Sequence, residues 1–357
     1  MTKKILLTGY IGRENFGDDL LLKIALDNIK KIKNNEVYCI VPETVDALYL
    51  LQYYPKIKII RYKKTIPVFF YKSFDKVYFI GGGVFFDYGK EINTKNYFKR
   101  KISNYLRYNI PKLLGTKYAG IGIGIGPFIN KRSQSIYQSM LKNFDFLGVR
   151  DQKSYEYGKL FDLKKVYLAN DLSLLLRNEL TALKRSKTAC SVIICPRSYK
   201  HYKPYEKHLE VLMKFSEHLL EKQYQVNWCF FQSEEEKIME KLESKGILST
   251  VWNPYKMTIM DFVSLFKNAS IVFTSRMHMV YVAGLLGINT VSIRVDPKLE
   301  YAARLFNRKP KILDPLTNLE EYIGCLGSKF EFDDEKFERE YNSVISVSEK
   351  MKDWLAK

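Results

Sequence analysis

The residues best placed for chemistry lie in the run Thr274-Ser275-Arg276-Met277-His278. A short apolar strand precedes this run, and the apolar helical period of residues 279–286 follows it. Arg276 and His278 are therefore expected in the first turn of a helix, where free N–H groups and the helix dipole attract anions. A guanidinium binds phosphate through two hydrogen bonds, and an imidazole exchanges protons near neutral pH. We predict that Arg276 and His278 form a catalytic pair.

The other histidines look different. His201, His208 and His218 lie on or beside a helical segment rich in Lys and Glu, so we expect them to be solvated. His278 lies instead in an apolar region, where a polar group needs a partner or a function. Arg197 directly follows another predicted strand, which directs its guanidinium to the same edge of the sheet.

Two glycine-rich stretches also follow predicted strands. The first runs from Gly9 to Asp18, and its glycines allow a backbone to approach a ligand closely. It lacks the G-x-G-x-x-G spacing of dinucleotide sites, and a turn capped by Asp18 is the structural alternative. The second is Gly81-Gly82-Gly83, which ends the fourth predicted strand.

Further along, glycine alternates with isoleucine from Gly120 to Gly126, ahead of Pro127. Tight packing of neighbouring layers explains this alternation as well as ligand binding does. Arg150-Asp151 and Asn170-Asp171 also end predicted strands. For Asp171, a capping role and a site role both remain open.

These loops need a scaffold of alternating strands and helices. Such alternation predicts two Rossmann-like, doubly wound parallel-sheet α/β domains that face each other across a cleft, with ligands at the carboxyl ends of the strands. We place the domains at residues 1–178 and 186–328, followed by an amphipathic helix at 333–357 that packs back across a domain. The predicted strands are 4–8, 37–41, 57–61, 76–80, 118–123, 146–149, 189–195, 225–231, 271–274 and 290–293. The predicted helices are 20–31, 96–114, 133–143, 206–223, 234–245, 258–267 and 279–286.

Composition limits the partners. The 357 residues include 58 Lys and Arg against 39 Asp and Glu, a formal charge of +19. This excess favours an anionic partner, which is a phosphorylated small molecule, an acidic membrane surface or nucleic acid. The sequence has no nucleic-acid-binding motif and no compact basic stripe, so no nucleic acid is expected. Five cysteines without metal spacing indicate a reducing, cytoplasmic setting and no metal site, and no segment is typical of a membrane span.

Taken together, these motifs resemble the polysaccharide pyruvyltransferase family over residues 5–306. The matching blocks, in the same order, are Gly9 to Asp18, Gly81 to Gly83, Gly122 to Pro127, Arg150-Asp151, Asp171, Ser275-Arg276-x-His278 and Asp296-Pro297-Lys298. The resemblance implies a GT-B-like fold. It also implies transfer of a pyruvyl group from phosphoenolpyruvate to a sugar of a cell-surface polysaccharide or its lipid-linked precursor, giving a cyclic ketal and phosphate.

The resemblance implies roles for individual residues. His278 would be the general acid or base and Arg276 its catalytic partner, and the chain would need no cofactor besides its donor substrate. The residues implied for phosphoenolpyruvate binding are Arg197, Ser275, Arg276 and Lys298. Those implied for the acceptor are Asn15, Asp18, Gly82, Gly83 and Asp87.

The sequence is also compatible with two other functional interpretations. The same fold suits a GT-B glycosyltransferase with a nucleotide-sugar donor, although no acidic ribose-binding residue can be assigned. The positive charge is also compatible with peripheral contact at the anionic inner face of the cytoplasmic membrane, where lipid-linked saccharides would be met.

Overall fold

The computed structural model describes residues 2–63, 65–87, 91–186, 190–197, 205–232 and 236–357. The chain divides into two compact α/β units, each built on a parallel sheet. The first unit comprises Met1–Arg13, Asp18–Leu175 and Glu340–Lys357. The second comprises Glu14–Gly17 and Leu176–Arg339, so four residues of the first glycine-rich loop belong to the second unit.

The first unit contains a seven-stranded sheet in the order β3-β2-β1-β4-β5-β6-β7. Its strands are β1 (Lys3–Thr8), β2 (Asn35–Pro42), β3 (Lys58–Tyr62), β4 (Lys76–Phe85), β5 (Lys117–Ile125), β6 (Phe144–Val149) and β7 (Val166–Leu168). Its helices are α1 (Phe16–Lys30), α2 (Tyr49–Tyr53), α3 (Thr94–Asn104), α4 (Ile110–Leu113), α5 (Lys131–Leu141) and α6 (Gln152–Leu160). A π turn at Tyr105–Asn109 joins α3 to α4, and 3₁₀ turns form at Phe70–Ser73 and Leu172–Leu176.

The second unit contains a six-stranded sheet in the order β10-β9-β8-β11-β12-β13. Its strands are β8 (Ser191–Cys195), β9 (Gln225–Phe230), β10 (Leu248–Val251), β11 (Ile271–Thr274), β12 (Asn289–Ile293) and β13 (Lys311–Leu313). Its helices are α7 (Arg177–Thr181), α8 (Tyr205–Glu221), α9 (Glu236–Glu243), α10 (Ile259–Ser264), α11 (Met277–Leu285), α12 (Pro297–Phe306) and α13 (Leu319–Gly324). The last helix is α14 (Asp334–Ala356).

The described strand pairs of both named sheets are parallel, as the alternation of strands and helices predicts. Short, almost wholly apolar strands such as β11 are buried, because helices cover both faces of such a sheet. In each unit the strand order reverses beside the first strand of the unit, β1 or β8. This is the point at which open α/β sheets bind ligands.

One expectation about the strands is wrong. We predicted that the fourth strand ends at the three glycines, but β4 continues through them to Phe85. Gly82 and Gly83 pair with Ile123 and Gly124 of β5, so the glycines extend the ladder toward the carboxyl edge. Gly82 has φ +104°, a conformation that favours glycine.

The C-terminal helix α14 belongs to the first unit from Glu340 onward. Its carboxyl end is capped by buried Lys76, whose Nζ donates to the carbonyls of Trp354 at 2.8 Å and Leu355 at 2.5 Å. Burial, helped by the charges of Lys3 and Lys117, lowers the pKa of Lys76 to about 8. A cation at the last carbonyls satisfies groups that the helix leaves without partners.

Candidate functional site

Adjacent strands β8, β11 and β12 end at the carboxyl edge of the second sheet, and the loops after them carry the cationic residues. Ser275 fixes two of these loops together. Its N–H donates to the Cys195 carbonyl at 3.1 Å, and its Oγ accepts the Arg197 N–H at 2.6 Å. Ser275 is buried, so these bonds hold the end of β8 against the end of β11 and place Arg197 at the edge.

Arg276 lies in the same junction and is only 7% exposed. Its Nε donates to the Pro196 carbonyl at 3.3 Å, and its backbone N–H donates to Thr274 Oγ1 at 2.9 Å. The guanidinium carbon lies 5.5 Å from the centre of the Phe231 ring, within cation–π range. These contacts restrict the guanidinium to one region of the edge.

The sequence predicts Arg276 and His278 in the first turn of a helix. The structure places Arg276 at the N-cap of α11 and His278 as the second helical residue. His278 is half-buried, whereas the remainder of α11 is buried. The imidazole thus lies at the positive end of a helix, beside N–H groups that the helix itself leaves unused.

Lys298 joins the cluster through a carboxylate. Its Nζ lies 3.0 Å from Asp296 Oδ2. Asp296 Oδ1 accepts the Lys298 N–H at 3.1 Å, so the Asp296 side chain caps α12. Burial alone would raise the pKa of Asp296. The charge and hydrogen bonds of Lys298, together with the charge of Arg197, outweigh that effect and hold the pKa below its usual value. Asp296 is therefore an anion that holds Lys298 and attracts the charge of Arg197.

The segment Glu14–Gly17 enters this unit through Phe16. The Phe16 N–H donates to the Phe231 carbonyl at 3.1 Å, and its fully buried ring packs 4.7 Å from that of Phe231. The rings of Phe262 and Trp252 lie 4.8 and 5.3 Å away. Aromatic packing of this kind fixes the start of α1 in the second unit.

This anchoring places Gly17 against His278. A Cβ added at Gly17 would overlap the imidazole, with Cε1 and Cγ only 2.9 Å away. Asn15 Oδ1 accepts the Gly17 N–H at 3.0 Å. The alternative in which Asp18 caps this helix is therefore wrong, because Asn15 is the residue that caps it.

Different residue types lie at the carboxyl edge of the first sheet. A Cβ at Gly82 would lie 3.8 Å from Asp18 Oδ1, and one at Gly83 would lie 3.6 Å from Arg150 Nη2. Arg150 Nε contacts Asp151 Oδ2 at 3.3 Å, and Asp151 caps α6. Three of the five predicted acceptor residues, Asp18, Gly82 and Gly83, therefore lie in one region of this unit.

Of the two remaining acidic candidates, Asp87 joins the loop after β4 to the loop after β5, and Asp171 holds its own loop. Asp87 accepts the N–H groups of Ile129 at 3.2 Å and Asn130 at 3.3 Å. Asp171 Oδ1 accepts both the N–H and the hydroxyl of Ser173, at 2.9 and 2.6 Å. Asp171 thus makes the kind of contact with its own loop that the capping alternative predicts.

The expectation for His208 is wrong, since its side chain is 1% exposed. Its Nδ1 lies 3.1 Å from the Pro315 carbonyl, and burial lowers its pKa to about 4. Its position on the inner face of α8 places it there, although the helix is rich in Lys and Glu. His218 is half-buried, and His201 lies outside the described residues.

Comparison with known families identifies the chain's family. The family model described as polysaccharide pyruvyl transferase matches residues 15–297. The chain belongs to this family. The match includes Asn15 and Asp18 at one end and Asp296 at the other, and membership makes the chain a transferase. A comparison with curated proteins gives no match.

Solved structures similar to this family member show its fold. The UDP-GlcNAc 2-epimerase from Methanocaldococcus jannaschii has a TM-score of 0.64 at 11% identity, covering 98% of this chain and 99% of its own. Anabaena Alr3699/HepE in complex with UDP and glucose has a TM-score of 0.53 at 12% identity, covering 99% of each chain. The Neisseria meningitidis UDP-GlcNAc 2-epimerase bound to UDP-GlcNAc has a TM-score of 0.56 at 10% identity, covering 98% and 97%. The fold is thus GT-B-like, as predicted.

Sequence reasoning left four residues of this pyruvyltransferase family member without a role. Asp296 and Arg150 were visible within matched motifs, and their position after strands could have drawn attention to them. Gly17 was visible only as one glycine of the stretch Gly9 to Asp18, because the predicted helix starts at residue 20 whereas α1 starts at Phe16. Phe16 gave no signal, since an apolar residue at a helix start is ordinary.

Membrane-spanning helices and clusters of metal ligands are both absent from the described residues. Among them, no helix combines the length and the apolar character that crossing a bilayer requires. In the same residues, no group of three or more His, Cys, Asp or Glu side chains is arranged to hold a metal ion.

Proposed function

We propose that the protein transfers the pyruvyl group of phosphoenolpyruvate to two hydroxyls of a saccharide, forming a cyclic ketal and releasing phosphate. The observation that carries this proposal is the cluster of Arg197, Arg276 and Lys298 beside His278 at the carboxyl edge of the second sheet. Phosphoenolpyruvate carries a phosphate and a carboxylate, and positioned cations stabilise both groups.

The reaction begins at the enol carbon. Protonated His278 would give a proton to C3, and the C2 cation that forms would be attacked by the first sugar hydroxyl, whose proton returns to the imidazole. The bond between C2 and the phosphate oxygen then breaks, and phosphate leaves with the electron pair. The second hydroxyl adds to C2 and its proton goes to phosphate, which closes the ketal ring.

Arg276, Arg197 and Lys298 would offset the charge that develops on the departing phosphate. Ser275 would contribute by holding the loops that carry the two arginines. No electron transfer occurs and the atoms balance without a cofactor, so we expect EDTA to leave turnover unchanged.

The acceptor would use residues that offer hydrogen bonds rather than positive charge. Asn15, Asp18 and Asp87 can accept hydrogen bonds from hydroxyls, and Gly82 and Gly83 allow close approach to the backbone. The family name supports a saccharide destined for a polysaccharide. We infer that it is a cell-surface polysaccharide or its lipid-linked precursor, modified in the cytoplasm.

The donor is tested first by thermal unfolding, which needs no acceptor. We expect phosphoenolpyruvate to raise the melting temperature through binding to the folded state, with no comparable effect of UDP-glucose or UDP-GlcNAc. Stabilisation by the UDP-sugars alone would instead favour the nucleotide-sugar glycosyltransferase.

The site is tested by phosphate release in the presence of saccharide acceptors, with mass spectrometry of the ketal product. His278→Ala should lose about 10²–10⁴-fold in rate, and Arg276→Ala should lose at least as much. His218→Ala and Arg304→Ala are the matched controls, because His218 is half-buried on α8 and Arg304 pairs with Glu300 on α12. Near-normal turnover in both site variants, with folding checked by circular dichroism, would end the assignment.

A further inference from the structure

A second surface of the protein carries large exposed apolar side chains. It lies on the segment formed by α3, the π turn and α4. Phe98 is 58% exposed, Ile102 61% and Tyr105 51%, while Leu113 and Leu114 at the end of α4 are 77% and 68% exposed. We call these five residues the α3–α4 patch. Contiguous exposed apolar side chains of this size are unusual on a monomer's surface.

The face of the segment next to the patch is fixed to the protein, and the exposure of the patch residues shows that the patch faces solvent. Tyr97 Oη lies 3.2 Å from Ser135 Oγ, and Lys101 Nζ donates to the Ser135 carbonyl at 3.1 Å. Asn104 Nδ2 donates to the Ile136 carbonyl at 3.3 Å. The spacing of 97, 101 and 104 defines the docked face, and the spacing of 98, 102 and 105 defines the neighbouring stripe that the patch occupies.

The π turn keeps the apolar stripe continuous. Leu113 follows Tyr105 by eight residues, which would rotate it off the stripe in an uninterrupted α-helix. A π turn inserts about one extra residue, so the effective spacing becomes about seven, or two α-helical turns. Leu113 therefore returns to the face of Phe98, Ile102 and Tyr105.

The charged side chains of the segment that carries the patch are all positive, and of these Lys112 pairs with Asp145 outside it. Residues 92–144 contain ten Lys and Arg and no Asp or Glu. Lys95 and Lys99 are exposed and lie three residues before Phe98 and Ile102 respectively, so they border the stripe. No ion pair to either lysine forms within the described part of the chain.

We propose that the α3–α4 patch docks the protein on the surface of an anionic lipid bilayer. Apolar side chains flanked by lysines suit insertion at the boundary between headgroups and acyl chains, with the ammonium groups against anionic headgroups. The segment would lie on the membrane and would not cross it. This inference is independent of the proposed reaction, since its test measures binding and not turnover.

The test is co-sedimentation of the full chain with vesicles of phosphatidylcholine alone or with about 30 mol% phosphatidylglycerol. We expect binding to the anionic vesicles, weakened by high salt, and little binding to the neutral ones. Lys95→Gln with Lys99→Gln should weaken binding roughly 30-fold, at about fivefold per lysine. Phe98→Ser with Ile102→Ser should weaken it at least about tenfold.

Matched controls come from the second unit. Leu248 and Leu316 are 71% and 55% exposed, and Lys222 and Lys256 are also exposed. The serine pair at the leucines and the glutamine pair at the lysines should bind anionic vesicles as the wild type does. All variants change exposed side chains, and unchanged melting temperatures confirm folding.

A direct probe locates the contact. Tryptophan fluorescence should shift to shorter wavelength on addition of anionic vesicles in Ile102→Trp but not in Leu248→Trp. The proposal is overturned if the wild type does not sediment with anionic vesicles. It is also overturned if the serine pair at Phe98 and Ile102 binds as tightly as the wild type, because adsorption would then depend on charge alone.

Discussion

The carboxyl edges of the two sheets occupy equivalent positions in similar folds, but their residues differ in kind. In the second unit, the loops after β8, β11 and β12 supply Arg197, Arg276 and Lys298. In the first unit, the corresponding edge supplies mainly backbone, through Gly82 and Gly83, with Asp18 and Arg150 beside them.

The difference in residue type indicates which kind of ligand each edge can bind. Neighbouring cations repel one another, so they persist at a partly buried edge only if acceptors hold them, as the Pro196 carbonyl and Asp296 do here. Such an edge suits an anion. A glycine edge offers hydrogen bonds and space instead, which suits an uncharged polyhydroxylated ligand. This contrast supports a donor at the second unit and an acceptor at the first, where the acceptor set lies except for Asn15 of the second unit.

The largest predicted effect tests whether Glu14–Gly17 belongs to the second unit. Phe16→Ala removes a fully buried ring from its aromatic cluster and should lower the free energy of unfolding by about 3–5 kcal/mol in urea denaturation. Phe98→Ala, at an exposed ring, should change it by less than about 0.5 kcal/mol. Equal losses in the two variants would contradict the anchoring role of Phe16.

The next prediction separates His208 from His278, which both belong to the second unit. His208 has a pKa of about 4 when folded and about 6.5 when unfolded, so the unfolded state binds more protons between these values. Its contribution to stability is therefore present above pH 6.5, and about 3 kcal/mol is lost as the pH falls to 4.

Urea denaturation at several pH values checks this. His208→Gln should flatten that part of the pH dependence while retaining activity at pH 7, and His218→Gln should leave the pH dependence unchanged. If His208→Gln abolished turnover in folded protein, His278 would not be the imidazole that the reaction uses.

The contact between Gly17 and His278 allows a test of whether the position of the imidazole matters for turnover. Gly17→Ala should displace the imidazole and lower kcat about 10²-fold, since a shift of about 1 Å at a reacting group has that effect. Gly324→Ala is the control, because an added Cβ there meets nothing within 4 Å. Steady-state phosphate release measures both, and unchanged kcat in Gly17→Ala would show that the imidazole position is unimportant.

The smallest predicted effect tests the contrast between the carboxyl edges of the two sheets. Lys298→Gln should raise KM for phosphoenolpyruvate about tenfold with little change in KM for the acceptor. Asp18→Asn should raise KM for the acceptor with little change in KM for phosphoenolpyruvate. Steady-state kinetics with each substrate varied in turn provides the measurement. A rise of the same KM in both variants would break the assignment of one substrate to each unit.

Much of the fold was predictable because its signals are local. Alternation of apolar strands with helical periods predicted two parallel sheets, and β11 has the bounds that its apolar run predicts. Strand length was less predictable at the glycines, where ladder pairing with β5 carries β4 onward to Phe85. The short outer strands β10 and β13 were missed, since four or three residues give little periodicity.

In the candidate site, too, some residues could be predicted from the sequence and others could not. Arg197, Arg276 and His278 were visible from residue type and position after strands, and Lys298 was visible from the family motif. The role of Asp296 was not, because it depends on Lys298 and on a guanidinium about a hundred residues earlier in the chain. His208 was misjudged because composition describes a whole helix, whereas burial is decided by which face packs inward.

The sequence by itself determined the fold class, the family motifs and the residue types at the strand ends, because strand and helix periods and glycine conformations are properties of neighbouring residues. Only the tertiary structure decided that Phe16 anchors in the second unit, that Gly17 meets His278 and that Asn15 caps α1. These facts depend on contacts between residues more than two hundred positions apart or on the conformation that such contacts impose.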